Sequence, residues 1–112
     1  MAQTKPHSPG KEPIFTSVEG LPEFPGGYQK FLAFVKENLD QSKSSVAGRA
    51  NITFVVEQDG TLSDIKAVGR IFDENAINEA IRVMKLSPKW NPGKQNGKPV
   101  RVQYTLPIVF TK

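Results

Sequence analysis

Cysteine is absent from this chain of 112 residues, and histidine and tryptophan occur once each. Without cysteine there are no disulfides, no thiolate nucleophiles and no thiolate metal sites. The single histidine, His7, has no ligand or acid close to it in sequence and reads as a solvated side chain, which leaves no Cys-His or Ser-His arrangement. No run of about 18 apolar residues occurs, and Met1 to Gly10 lacks the apolar centre of a signal peptide, so the sequence as it stands is expected to be soluble and unanchored. The lack of cysteine leaves the compartment open, because reducing cytosol and oxidising periplasm both accept it. Acidic residues are also missing from one end: residues 80–112 carry a charge balance of +7, against −3 for residues 1–79. A nucleic-acid partner asks for cations interleaved with exposed aromatics. Trp90 and Tyr104 are the only aromatics near that basic end apart from Phe110, and both fall at core or hinge positions. No nucleic acid is expected, and the basic end reads as a solvated face or a surface for an acidic protein.

The length allows one domain with a tail. Residues 1–13 (MAQTKPHSPGKEP) hold three prolines and two lysines with almost no apolar side chains, and read as a disordered linker stub before a domain spanning 14–112. Ile14 to Val18 is a short β-rich run. From Gly27 to Leu39, Tyr28, Phe31, Leu32, Val35 and Leu39 recur at helical spacing, which predicts an amphipathic helix with a core-facing aromatic stripe. Asp40 to Ala47 reads as a polar loop. Gly48 to Glu57 alternates with period two, Asp59-Gly60 offers a tight hairpin turn, and Thr61 to Val68 returns. Asp73 is placed to cap a second helix whose stripe is Ala76, Ile77, Ala80, Ile81 and Met84, ended by Pro88.

The last segment is the longest strand, with Val100, Val102, Tyr104, Leu106, Ile108 and Phe110 on one face and Arg101, Gln103 and Thr105 on the other. Pro107 in its interior removes a ladder donor, which predicts a sheet edge where another polypeptide can dock. The order β-α-β-β-α-β implies an α+β two-layer sandwich, with two helices on one face of a mostly antiparallel sheet. Catalysis is not expected. Asp73 with Glu74, and Asp59 with Glu57 and Asp64, have simpler readings as cap, turn and solvated sheet face. Gly93 to Lys98 lacks the strand-loop-helix order of a phosphate loop and reads as a turn. No cofactor or metal is expected.

Pro22-Glu23-Phe24-Pro25-Gly26-Gly27, the run Gly48 to Leu62, Trp90-x-Pro92-Gly93, Asn96-Gly97-Lys98-Pro99-Val100 and Leu106-Pro107-Ile108-x-Phe110 together resemble the TonB C-terminal domain family, in its Bacteroidetes-type form, over about Ile14 to Phe110. The resemblance implies a periplasmic, non-enzymatic adaptor at the end of a membrane-anchored arm, coupling a proton-driven inner-membrane motor complex to outer-membrane TonB-dependent transporters. It further implies that the domain grips a transporter's extended N-terminal segment by strand addition to the last strand. The contact would then be carried by Val100, Arg101, Val102, Gln103, Tyr104, Thr105, Leu106 and Ile108, with Lys94, Lys98 and Arg101 steering an acidic segment. Two departures stand out: DQSKSSVA lacks the Tyr-Pro pair that family members usually carry there, and the sequence as given contains no membrane anchor. A cut-out domain and a free-standing relative that homodimerises through its edge both fit the second.

Overall fold

The computed structural model describes residues 12–69 and 73–111. The expected linker stub up to residue 11, including His7, and residues 70–72 ahead of the cap at Asp73 therefore lie outside the described residues. The elements are β1 (Ile14–Phe15), α1 (Tyr28–Asn38), a 3₁₀ turn (Gln41–Lys43), β2 (Gly48–Val56), β3 (Leu62–Ala67), α2 (Glu74–Lys85), β4 (Gly93–Gln95) and β5 (Lys98–Phe110). The sheet order is β1-β5-β2-β3, with β4 paired to the start of β5. Among the described residues only the β1–β5 pairing is parallel. The fold is the expected α+β arrangement.

β2 and β5 form the backbone of the sheet, in register from Gly48 opposite Phe110 to Val56 opposite Val102. Their core faces bring Ile52, Phe54, Ile108 and Phe110 under the helices, where they meet Phe31, Val35 and Leu39 of α1 and Ala76, Ala80, Val83 and Met84 of α2. Trp90 sits at the centre of an aromatic cluster, edge-on to Phe24, Phe31, Phe54 and Tyr104. Its indole N–H donates to Ser87 Oγ at 2.8 Å, so the buried ring carries no unmet donor.

Three local expectations change. The β2–β3 connection is wider than a two-residue turn: Glu57 N–H bonds the Thr61 carbonyl at 2.8 Å, and of Asp59 and Gly60 only Gly60 has a positive φ, at 90°. That matches a longer loop closed by one left-handed glycine. Gly60 is needed twice over, because a Cβ there would lie 2.2 Å from the Trp90 carbonyl oxygen. The second change is β4, absent from the sequence reading. Asn96 and Gly97, with φ of 55° and 76°, make the expected turn into the two-residue left-handed turn of a β4–β5 hairpin. The third is the far face of the sheet, which is drier than alternation implies. Thr53 and Val55 are buried there, beside a hydroxyl bond from Thr105 to Thr53 of 3.1 Å.

Candidate functional site

The ladder geometry shows which backbone groups of β5 face outward. Asn51 accepts a hydrogen bond from Val68 N–H at 2.9 Å, so its carbonyl points toward the β3 side. Asn51 lies opposite Pro107. In an antiparallel ladder the two are then a non-hydrogen-bonded pair, and the Pro107 nitrogen points away from β2. By the same alternation Gln103, Thr105 and Val109 direct their main-chain groups to the outer side, while Tyr104, Leu106 and Ile108 bond to β2. The proline thus sits where its missing N–H costs the sheet nothing.

This outer edge is bounded at both ends. At one end β1 lies parallel against it, with Ile14 opposite Arg101 and Phe15 opposite Val102, and Val100 is paired with Gly93 of β4. At the other end the Gln41 side chain closes it: Gln41 Oε1 accepts from Thr111 N–H at 2.9 Å, and Gln41 Nε2 reaches the Val109 carbonyl at 3.5 Å. The open part runs from 103 to 109, shorter than the span from Val100 read in the sequence.

Gln41 is held in place by a buried carboxylate. Glu79 of α2 is nearly buried; its Oε2 accepts the Asp40 N–H at 2.8 Å, and Arg82 grips it at 2.6 and 2.8 Å. Arg82 also donates to the Asn38 carbonyl at the end of α1, at 2.8 Å. Hydrogen bonding from Arg82, assisted by the Asp40 amide, lowers the Glu79 pKa against the opposing effect of burial. Asp73, whose Oδ1 caps Asn75 and Ala76, also accepts from the Ser45 backbone and hydroxyl, and these bonds hold its carboxyl below the usual range. The segment 40–47, expected as a polar loop, is therefore tied down on the α2 side. No sequence signal marked it, because its contacts come from residues about 30 to 40 positions away.

The sequence-predicted contact residues all fall on β5, but in different settings. Val102 and Ile108 are buried, and Tyr104 and Leu106 face the core in half-buried positions, so these four turn their side chains to the core and, by the alternation above, their main-chain groups toward β2. Arg101 differs from expectation. Only 9% exposed, it binds Glu57 at 2.7 and 3.1 Å and donates to the Glu12 carbonyl at 2.7 Å. It joins β1 to β5 and is not available to steer a partner. Lys94 and Lys98 remain exposed on the β4–β5 hairpin. The candidate carboxylates have structural work: Glu57 pairs with Arg101, Asp59 accepts from Thr61 N–H and Oγ within its turn, and Asp73 caps α2.

Beside the open edge, and missed by the sequence reading, lies a groove of about 390 Å³ between α1 and β5, lined in part by Tyr28, Leu32, Lys36, Pro107 and Val109. The α1 stripe is wider than the core it covers: Phe31, Val35 and Leu39 are buried, whereas Tyr28 is 49% and Leu32 41% exposed.

A family model of the Gram-negative bacterial TonB protein C-terminal matches residues 41–111. No curated protein and no solved structure matches the chain. The matched region takes in the 3₁₀ turn, every element from β2 to β5 and the whole open edge; β1, α1 and the Pro22 to Gly27 motif precede it.

Proposed function

The chain belongs to the TonB C-terminal domain family, and from that premise we propose that it is the periplasmic adaptor of a TonB-type energy transducer, binding the extended N-terminal segment of outer-membrane transporters by strand addition to β5. Membership by itself implies a periplasmic interaction domain, consistent with contact to such transporters and with a non-catalytic role. The observation that carries the finer reading is the outward-facing, bounded edge at 103–109. Main-chain groups there ask for a strand and make few side-chain demands, which lets one adaptor serve many transporters.

The same edge offers a path for load. β1, at the N-terminal side, and the incoming segment would lie on one side of β5, and Arg101 links β5 to the Glu12 carbonyl. Pull arriving from an inner-membrane motor through an N-terminal arm would reach β5 as shear across ladder bonds and pass to the partner strand. Titration of the 15N-labelled chain with a peptide copying a transporter's N-terminal extended segment is expected to move the amides of Gln103, Thr105 and Val109. Shifts confined to the helices would overturn the reading.

A second reading, edge-to-edge pairing of two copies without energy transduction, rests on the same open edge. Sedimentation at several concentrations separates the two, because a tight dimer already fills the edge. Pro107 weighs against it, since a proline in an exposed edge discourages long self-pairing.

A further inference from the structure

We infer that the basic hollow between β3 and the C-terminal half of α2 docks a further protein, through a helix or turn that presents one large apolar side chain flanked by carboxylates. The hollow lies across the sheet from the open stretch of β5, because β2 separates β5 from β3. The inference therefore goes beyond strand addition, and the two sites can be filled at once. It starts from the basic end of the chain, which the fold leaves largely unused. Arg82 is engaged by Glu79 and Arg101 by Glu57, whereas neither Lys85 nor Lys89 has an ion-pair partner among the described residues.

These two exposed lysines line a hollow of about 250 Å³ whose floor is apolar, made by Leu62 and Ile65 of β3 and Met84 of α2. The other polar groups around it are already satisfied. Ser87 Oγ accepts the Trp90 indole N–H and donates to the Pro88 carbonyl, both at 2.8 Å, and Thr61 Oγ1 donates to Asp59 at 2.7 Å. The Val83 and Met84 carbonyls at the end of α2 accept from Leu86 and Ser87 N–H at 3.0 and 3.1 Å. Two ammonium groups and an apolar floor are left for an occupant to answer, which selects carboxylates around an apolar side chain. The volume falls short of the roughly 300–1,000 Å³ usual for a small-molecule pocket and suits one side chain of a larger partner. Leu86, between the lining residues Lys85 and Ser87, is 52% exposed and carries the apolar surface past the rim, where a small carboxylate would leave it uncovered.

The edge of β3 itself is closed to a partner strand. Its register with β2 shifts between Thr53 and Val55, Asp64 has a φ of 50°, and Asp64 and Lys66 form an exposed ion pair at 3.5 Å. A bulged and charged edge resists a straight ladder. The occupant is held by its side chains, which calls for a helix or a turn.

The test uses the whole chain, 15N-labelled, and a capped eight-residue peptide with Phe and Leu at its centre and Asp or Glu elsewhere. It is expected to shift the amides of Leu62, Ile65, Lys85, Leu86 and Lys89 and to leave those of 103–109 in place. The double change Lys85→Glu with Lys89→Glu, at exposed positions, is expected to weaken binding about tenfold, with recovery when the peptide's acids are replaced by Lys. Leu86→Ser is expected to weaken it about fivefold, as the loss of a half-buried apolar contact implies. Equal binding by a peptide with Ser in place of Phe and Leu would reduce the effect to charge attraction and overturn the inference. Hexanoate binding as tightly as the peptide would assign the hollow to a small carboxylate, and shifts of these amides with protein concentration alone would assign it to a second copy; either result overturns the inference. An absence of shifts overturns it as well, and shifts confined to 103–109 overturn it while leaving strand addition standing.

Discussion

Arg101 illustrates how a residue's role turns on its neighbours. Its side chain and that of Glu57 are only 11% and 19% exposed, and they meet at 2.7 Å. Arg101→Met would take the cation away from a mostly buried carboxylate, and is expected to cost about 3 kcal/mol in denaturant unfolding. Trp90→Ala is expected to cost about 3–5 kcal/mol, because four aromatic neighbours converge on that ring and cannot all close the void. Asp73 gives a pH signature. Its pKa is lowered in the folded state by bonds from Ser45 and Ala76. Its contribution is therefore present above the unfolded carboxyl value of about 3.9 and is lost as pH falls through the lower folded value. Asp73→Asn is expected to lower Tm at pH 7 and to flatten the fall in Tm below about pH 4; an unchanged acid limb would show that the carboxylate has the same environment in both states.

Among the elements, β5 is the one whose two sides do different work. Leu106 bonds to β2, whereas Thr105 points outward, so prolines at adjacent positions should behave in opposite ways. Thr105→Pro is expected to fold with a loss of about 1–2 kcal/mol, mainly its bond to Thr53, and to bind no partner strand. Leu106→Pro removes a ladder bond inside the sheet and is expected to cost about 3 kcal/mol or more. Circular dichroism melting and peptide titration read the two outcomes, and equal behaviour of the pair would refute the assigned alternation. The sequence made β5 legible as an edge strand because Pro107 is informative wherever it falls in a strand. Periodicity gave no warning of β4, whose three residues are too few to show one. The Asn96-Gly97 pair was the available signal, since that dipeptide favours a two-residue hairpin turn.

For the whole molecule, the short β1 is a guard as well as a tether. Deleting residues 1–16 would bare the edge at Arg101 and Val102 and take the Glu12 carbonyl from Arg101. The lengthened edge is expected to bring concentration-dependent dimers in sedimentation velocity under conditions in which the full chain is expected to stay monomeric. Monomers at all concentrations would show that Pro107 and Gln41 protect the edge unaided.

The periodicities of the sequence determined the helices, the long strands and the shared core, because each is written in spacing between near neighbours, and Pro107 marked the edge character of β5. Composition and motif order also sufficed to reach the family. The limits of the site were decided only by the tertiary structure. Which stretch of β5 stays open depends on β1 arriving from about 87 residues away and on Gln41 from about 68. Whether Arg101 steers or binds, and whether Leu32 is core or groove, depends on what lies opposite in space. Local spacing carries no record of such contacts, since chain separation does not set distance once the chain has folded.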